Sequence, residues 1–282
     1  MAYPDLLLTA LTYPDATPDR AIRSGVALAR RLGGKLTFLT VRVDLPQLHN
    51  PLANALLDLD RISDMEQARS AATADLEAVC ARIAADIFHE PLNTETVTAK
   101  LYEESDVVAR AARTRDLTLT PIGPAVLADR DLAETILFAS GRPVMVYPEA
   151  AHIAAHDGFT RVTVAWDGGR AAARAVADAL PILQQAGEVR IFTALGDKPQ
   201  AVRGTAGDLV RHLHTHGIEA AIDERLDHDR TIGCRLADYV AEVKPDLLVM
   251  GAYGHARLRE FVLGGATEAV LRDPPCPVLL SH

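Results

Sequence analysis

Glycines follow an apolar run near the C-terminus, at a spacing that could hold a phosphate group. The run covers residues 247–250, and the glycines after it are Gly251, Gly254, Gly264 and Gly265. An apolar run of this length predicts a buried strand, and a helical pattern follows in the same stretch. A glycine loop between strand and helix lets the backbone approach an anion, with free N–H groups pointing at it. The residues therefore predict an anion site, although they fit neither G-x-G-x-x-G nor a P-loop.

The glycine spacing resembles that of the ATP-binding universal stress proteins. In that family the pattern is G-2x-G-9x-G, and this chain matches it at Gly251, Gly254 and Gly264. Members usually place Ser or Thr directly after the last glycine, whereas this chain has Gly265. A further family threonine has its counterpart in Thr267. The resemblance implies ATP, or ADP or AMP, as the ligand, with Mg²⁺ as an optional companion ion.

The resemblance also implies a set of ligand-binding residues in the C-terminal half. Asp167, at the end of a predicted strand over residues 162–166, matches a family aspartate that hydrogen-bonds the adenine or ribose. Met250 and Gly251 would line the adenine and ribose, and residues 254–255 and 264–267 would face the phosphates. The positions carried over are Ala165, Asp167, Met250, Gly251, Gly254, His255, Gly264, Gly265 and Thr267.

This chain departs from the family at two of these places. Ala165 and Trp166 replace the family's proline and small aliphatic residue ahead of Asp167, and the bulky indole is expected to affect the fit of the base. Gly265 lacks the family's hydroxyl, which would remove about 0.5–1.5 kcal/mol of binding free energy. Backbone N–H groups would still hold the anion, so binding is expected to be weaker rather than lost.

Each feature also has an interpretation that involves no ligand. The glycine loop serves equally as a plain connection, and Asp167 as a turn or N-cap carboxylate.

In the cluster His212, His214 and His216, the first and last histidines would share a helix face, as zinc ligands do. No third ligand is fixed by spacing, although residues 227–229 (Asp-His-Asp) follow in the next loop. Histidines also suit a helix C-terminus, so a metal site stays one of two interpretations.

Composition and charge restrict the classes of function. The chain has 282 residues, 49% hydrophobic and 24% charged, as in ordinary soluble globular proteins of one or two domains. A formal net charge of −9 argues against nucleic acid and against an anionic membrane surface as partners. No apolar run approaches the roughly 20 residues of a membrane span, and the N-terminus lacks the basic residues of a signal peptide. Since Cys80, Cys234 and Cys276 are expected to be isolated reduced thiols, we predict a cytoplasmic protein.

The order of predicted elements is repeated, and two anchors of the repeat are visible in the letters. Residues 115–117 (Arg-Asp-Leu) align with 245–247 (Pro-Asp-Leu), and 142–144 (Arg-Pro-Val) align with 276–278 (Cys-Pro-Val). We therefore divide the chain into a first domain, a linker and a second domain, over residues 1–148, 149–160 and 161–282.

The predicted fold class is α/β. Strands that alternate with helices predict parallel sheets. The resemblance implies two tandem α/β sandwich domains, Rossmann-like and similar to the adenine nucleotide alpha hydrolases, each with a mainly parallel sheet of roughly five strands. The predicted strands cover residues 6–11, 36–43, 94–101, 117–122, 143–147, 162–166, 189–195, 218–226, 247–250 and 278–280. The predicted helices cover residues 19–32, 50–86, 105–113 (with Ser105 as N-cap), 132–139, 170–185, 207–216 and 231–243.

The first copy lacks the residues that would bind a phosphate. In the alignment, Pro121 and Pro124 take the places of the first two glycines, and Arg130 and Asp131 those of the last two. Residues 11–12 (Leu-Thr) stand where the second copy has its aspartate. Proline has no N–H to donate, and Asp131 would repel a phosphate. We therefore predict that the first half is a degenerate domain without nucleotide.

The resemblance implies how the halves associate and what the chain does. Universal stress proteins dimerise through their last strands, so residues 143–147 and 277–281 are expected to pair within one chain as an internal pseudo-dimer. Association of two chains into a homodimer is left open. The leading hypothesis is a nucleotide-dependent regulator of the stress response, acting on a protein partner that the sequence does not identify. The alternatives are a nucleotide-free scaffold and a slow ATPase, the latter less favoured because no general base, Mg²⁺ carboxylate or G-x-S-x-G elbow is evident.

Overall fold

The computed structural model describes residues 3–12, 16–44, 59–88, 92–100, 103–124, 126–195, 205–226, 230–252 and 265–282. The strands in these ranges are β1 (Asp5–Leu11), β2 (Lys35–Asp44), β3 (Asn93–Lys100), β4 (Leu117–Ile122), β5 (Val144–Pro148), β6 (Arg161–Ala165), β7 (Glu188–Leu195), β8 (Ala220–Leu226), β9 (Leu247–Gly251) and β10 (Val278–Ser281). The helices are α1 (Asp19–Leu32), α2 (Leu59–Phe88), α3 (Glu104–Ala112), α4 (Leu127–Ala139), α5 (Arg170–Leu183), α6 (Thr205–Thr215), α7 (Ile232–Val243) and α8 (Gly265–Arg272).

The described strands form a single ten-stranded sheet in the order β3-β2-β1-β4-β5-β10-β9-β6-β7-β8. Each half contributes five strands whose neighbours are parallel, and the halves meet where β5 and β10 pair antiparallel. At this junction Val278 lies beside Val146, and Leu280 beside Val144. The predicted α/β class and the predicted pairing of the two last strands are confirmed. The prediction treated the halves as separate sheets, whereas hydrogen bonds across this junction make the sheet continuous.

The internal repeat is visible in the hydrogen bonds at the start of the central strands. The Asp116 carboxylate accepts from the backbone N–H of Asp5 at 2.9 Å, and the Asp116 N–H donates to the Asp5 carbonyl at 2.9 Å. In the second half the Asp246 carboxylate accepts from the N–H of Arg161 at 3.0 Å, and the Asp246 N–H donates to the Arg161 carbonyl at 2.8 Å. The aspartates that align in the sequence therefore have the same structural role in both halves.

Helices cover both faces of the sheet, because the buried strands are apolar on both sides. On β1, Leu6 and Leu8 belong to one apolar cluster, and Leu7 and Leu11 belong to the other. The first cluster contains the buried residues of α1, α2, α5 and α6, and the second contains those of α3, α4, α7 and α8. Within the described ranges, no helix is both long enough and apolar enough to cross a membrane.

The segment between the halves lies along α1. Arg31 Nε donates to the Ala154 carbonyl at 3.0 Å, and the Gly158 N–H donates to the Arg31 carbonyl at 3.2 Å. Arg30 Nε lies 3.2 Å from a carboxylate oxygen of Asp157. The residues predicted as a linker are therefore held against the first half by the C-terminal turn of one helix.

Local differences from the predicted elements have identifiable causes. The N-cap of α3 is Glu103 and not Ser105, whose hydroxyl instead donates to Asp131 of α4 at 2.8 Å. Helix α4 begins at Leu127, whereas the prediction began it at residue 132. Leu127 is exposed, so the first turn carries no apolar periodicity that would mark the start. The start of the long helix predicted from residue 50 lies outside the described residues, and α2 is described from Leu59.

Candidate functional site

The candidate site lies at the carboxyl ends of β6 and β9. In the second half the sheet order is β10-β9-β6-β7-β8, so the chain passes from β6 to one side and later returns to the other. Open α/β sheets bind ligands in the crevice at such a switch point. Ala165, the last residue of β6, lies between Phe192 of β7 and Met250 of β9 in the register. Met250 is buried and Ala165 is partly exposed, so these residues form an apolar floor under the crevice.

Asp167 follows β6 in a tight turn that leads into α5. Its Oδ1 accepts the backbone N–H of Gly169 at 2.8 Å, while Gly168 has a φ of 72°, which favours glycine. This is the turn-carboxylate interpretation of Asp167, and it also fixes the carboxylate in place. The carboxylate makes no second side-chain hydrogen bond within the part of the chain that the structure describes. Within those same residues, its other oxygen has no hydrogen-bond partner.

The indole of Trp166 points away from the apolar floor. Its Nε1 donates to Thr205 Oγ1 on the first turn of α6 at 3.1 Å, and its backbone N–H donates to the Phe192 carbonyl at 2.9 Å. Trp166 packs with the cluster beneath α5 and α6, whereas Ala165 packs with the opposite cluster. The bulky residue that departs from the family pattern therefore does not cover the floor.

Gly251 brings the N-terminus of α5 onto the end of β9. A Cβ atom on Gly251 would lie 2.2 Å from the Ala172 nitrogen and 2.3 Å from the Ala171 carbonyl carbon. No side chain fits at that distance, so the glycine has a packing role that needs no ligand. The N-cap of α5 is Gly169, which supplies no side-chain hydrogen bond to the first turn. Asp167, Gly251 and the first-turn N–H groups of α5 are therefore brought together.

Gly265 and Thr267 form a second group on the first turn of α8. Gly265 is exposed, and among the described residues a Cβ there would meet Ile232 Cγ2, at 3.7 Å. The Thr267 side chain is 3% exposed. Helix α7 packs on this turn, since a Cβ on Gly233 would lie 3.0 Å from the Gly265 carbonyl oxygen. The predicted site residues Gly254, His255 and Gly264, which connect the two groups, lie outside the described residues.

The three histidines at the C-terminal end of α6 lie within the described residues. The rings of His212 and His216 are 4.8 Å apart, and His214 Nε2 lies 3.4 Å from Glu219 Oε1. Among the described residues, no group of three or more histidine, cysteine or acidic side chains is arranged to hold a metal ion. Residues 227–229, which the sequence offered as further ligands, lie outside that set.

The same place in the first half is occupied by the protein's own carboxylates. At the end of β4, the Gly123 N–H donates to Asp129 Oδ2 at 2.8 Å. A Cβ on Gly123 would lie 2.6 Å from Glu149 Oε2 and 3.2 Å from that same Asp129 oxygen. Glu149 is also paired with Arg20 on the first turn of α1. Two carboxylates therefore gather around a backbone N–H group at the end of β4.

Burial, together with the negative charge of Glu149, raises the pKa of Asp129 to about 6. The hydrogen bond from Gly123 opposes this rise without cancelling it. The sequence had assigned the repelling charge to Asp131, but Asp131 is hydrogen-bonded to Ser105, and Asp129 is the acidic residue at the strand end.

Three residues near the site were missed by sequence reasoning. Gly169 and Thr205 hold Asp167 and Trp166, and the Asp-Gly-Gly run before a helix was the available signal for the first of them. His282 Nδ1 lies 3.2 Å from the Ala252 carbonyl, directly after β9. The last predicted strand, residues 278–280, belongs to a parallel sheet, so its carboxyl end lies at this same edge, and this was the available signal for His282.

Comparisons with known proteins agree with this geometry. The profile of the universal stress protein family matches residues 158–282. The universal stress protein Slr1230 of Synechocystis sp. is 35% identical over 81 residues, and the match covers 29% of this chain and only 27% of that protein.

Two solved structures share the fold across both halves. A universal stress protein from Archaeoglobus fulgidus DSM 4304 has a TM-score of 0.68 at 17% identity, covering 98% of this chain and 97% of that one. A putative universal stress protein from Pseudomonas aeruginosa UCBPP-PA14 has a TM-score of 0.54 at 16% identity, covering 99% and 93%. At these identities the likeness concerns the fold.

Proposed function

Residues 158–282 of this chain are a universal stress protein domain, and on that premise we propose that this half binds an adenine nucleotide, ATP or ADP or AMP. The nucleotide occupies the crevice between the ends of β6 and β9. Binding changes the population of one conformation or complex, and the chain acts as a nucleotide-dependent regulator rather than as an enzyme. The first half is its structural partner.

The observation that carries this proposal is the convergence of three features at one crevice. The Asp167 carboxylate is held by the Gly169 N–H, which leaves one oxygen to accept from a ribose hydroxyl or an adenine amino group. The floor of Ala165 and Met250 offers apolar contact to the base. The first turn of α5 presents N–H groups without a side-chain cap, and such groups favour an anion.

The contrast between the halves supports one site per chain. In the second half the strand end opens into the glycine pattern, whereas in the first half Asp129 already accepts the N–H of Gly123, with Glu149 beside it. Two carboxylates at this place would repel a phosphate. The expected stoichiometry is therefore one nucleotide per chain, in the second half.

Titration of the full chain with ATP and Mg²⁺ tests the proposal. Trp166 is the only tryptophan and lies directly before Asp167, so its fluorescence should report binding alongside calorimetry. Asp167→Ala should weaken binding about tenfold or more, as loss of a hydrogen bond to a charged group typically does. Asp106→Ala, an exposed carboxylate of α3, is the control and should leave affinity unchanged.

The number of nucleotides bound per chain, together with phosphate release, distinguishes the regulator from the alternative functions. One nucleotide per chain, weakened by Asp167→Ala, supports the proposal. Two per chain would show that the first half also binds. No binding at millimolar nucleotide would favour the nucleotide-free scaffold, and phosphate release that disappears in Asp167→Ala would favour the slow ATPase.

A further inference from the structure

A cleft with a volume of about 680 Å³ opens at the outer edge of the first half, away from the ends of β6 and β9 that form the nucleotide crevice. It lies at the amino ends of β2 and β3, between the C-terminal turns of α1 and α2. Its apolar lining comes from Leu36, Ala84, Phe88 and Leu92. Small-molecule sites typically measure about 300–1,000 Å³ and are mostly apolar, and this cleft has both properties.

The apolar lining belongs to the folded core of the first half and is not a loose surface patch. Leu36 and Ala84 are 6% and 1% exposed, and both belong to the cluster beneath α1 and α2. Phe88 and Leu92 are half-buried and pack against the same cluster. The inner surface of the cleft is therefore formed by packed core residues, Leu36 and Ala84. Its outer part is formed by the half-buried side chains of Phe88 and Leu92, which a ligand could cover.

Among the described residues, the charged side chains of the rim leave one unit of positive charge. Arg30 and Lys35 line the cleft together with Asp157. The Asp157 carboxylate lies 3.2 Å from Arg30 and is 86% exposed, so Arg30 already has a partner. Lys35 is exposed and has no ion pair or side-chain hydrogen bond within the described residues. Its ammonium group is therefore the uncommitted charge at the mouth of an apolar cleft.

We propose that this cleft binds a small amphipathic monoanion, a carboxylate attached to an apolar chain or ring. The apolar part packs on Leu36, Phe88 and Leu92, and the carboxylate accepts from the Lys35 ammonium group. This gives the first half a ligand of its own, chemically unlike the nucleotide proposed for the second half. The two proposals do not depend on each other.

The charge balance favours a monoanion over the other classes of ligand. Among the described residues of the rim, a second negative charge would find Arg30, which already has Asp157 as its partner. The C-terminal ends of α1 and α2 also point here, and the partial negative charge of helix C-termini disfavours a dianion. A cationic ligand would meet the unpaired Lys35 and lose its hydration without a counter-charge.

Matched probes test the proposal on the full chain. Octanoate, octan-1-ol and octylamine share a chain length and differ in charge, and their binding is measured by calorimetry and by amide chemical shifts around Leu36 and Leu92. Octanoate should bind more tightly than octanol, and octylamine should bind most weakly. Lys35→Met should weaken octanoate binding about tenfold, the usual effect of losing one charge-assisted hydrogen bond, and should leave octanol binding unchanged.

Two variants keep the proposal open to contradiction. Lys100→Met removes an exposed lysine at the other end of β3 and should not affect any probe. Phe88→Ala, at a half-buried position, should weaken octanoate and octanol alike. No chemical-shift change at millimolar octanoate would overturn the cleft as a site. Equal binding of octanoate and octylamine, or full octanoate affinity in Lys35→Met, would overturn the assignment of the charge.

Discussion

At the scale of single residues, Asp129 distinguishes the two halves most clearly. Its carboxylate occupies the place where the first half would otherwise present a backbone N–H to an anion. The pKa of Asp129, raised to about 6, lies above the ordinary value of about 4 for an aspartate in an unfolded chain. The folded chain therefore binds more protons between about pH 4 and 6, and the free energy of unfolding contributed by this group falls as the pH rises through that window.

Asp129→Asn removes this titration and keeps an amide oxygen for the Gly123 N–H. The variant should be more stable than the wild type at pH 7.5, by about 1–2 kcal/mol after a discount for partial exposure. Below pH 4 the advantage should vanish, because the wild-type carboxyl is then protonated. Urea denaturation at pH 4, 6 and 7.5 measures the difference. Asp131→Asn, on the exposed side of α4, is the control, and an equal effect there would contradict the role given to Asp129.

Gly265 gives a second prediction at this scale. Among the described residues, an added Cβ would meet Ile232 Cγ2 at the ordinary contact distance of 3.7 Å, so a serine side chain fits beside α7 without strain. Gly265→Ser supplies the hydroxyl that related ATP-binding proteins usually have and should tighten ATP binding about two- to tenfold. Gly265→Ala adds the Cβ without the hydroxyl and should leave the affinity as it is. Equal affinities for both variants, measured by Trp166 fluorescence, would show that the hydroxyl does not reach the ligand.

At the scale of elements, the contact between α5 and β9 decides the shape of the crevice. The first turn of α5 lies so close to Gly251 that backbone atoms would be 2.2 Å from any added Cβ. The sequence pattern correctly located Gly251 at the end of the strand, and the family resemblance gave it a role in ligand binding. Its contact with the backbone of α5 is a packing role that the pattern did not indicate. A glycine that packs against a helix and one that faces a phosphate have the same sequence signature, so spacing alone cannot separate them.

Gly251→Ala should therefore destabilise the fold even without nucleotide. Forcing a methyl group into the α5 backbone should cost at least about 2 kcal/mol, in the range of overpacked cores. Gly265→Ala, in open space on a helix, should change stability by less than about 1 kcal/mol, in the stabilising direction. Chemical denaturation without ligand compares the two variants. A neutral Gly251→Ala would mean that α5 can move away from β9.

The elements themselves were predictable where apolar periodicity and caps coincide. Helix α1 has its predicted bounds because its apolar stripe ends at Gly33, which takes a φ of 73°. Helix α4 was predicted to begin too late because a single small apolar residue, Ala128, packs on the core from its first turn, and Leu127 is 78% exposed. Contacts across a connection, such as Gly123 with Asp129, depend on loop geometry that apolar periodicity does not specify.

At the scale of the whole molecule, the two halves share one sheet and parts of both apolar clusters. Met145 of β5 and Leu279 of β10 are paired across the junction, and both are fully buried. The Tyr3 hydroxyl in the first half also donates to the carbonyl of Asp178 on α5 in the second. Neither half can unfold without exposing the pairing edge and the buried face of the other.

We therefore expect the full chain to unfold in one transition. Trp166 fluorescence reports only on the second half, whereas far-UV circular dichroism reports on both, and their urea midpoints should coincide. The shared junction couples the halves because its strands supply both hydrogen bonds and core residues. A fluorescence midpoint clearly separated from the dichroism midpoint would show that the halves unfold independently.

The antiparallel junction of β5 and β10 has a consequence for how this chain can diverge. In a dimer of identical subunits, every substitution appears on both sides of the two-fold axis, so both sites must tolerate it. Here each side of the junction has its own stretch of sequence. Asp129 can therefore occupy the strand end of the first half while the second half keeps its glycines. Every molecule then contains one half of each kind. A protein that recognises this molecule meets two chemically different ends, and it can bind in a single orientation.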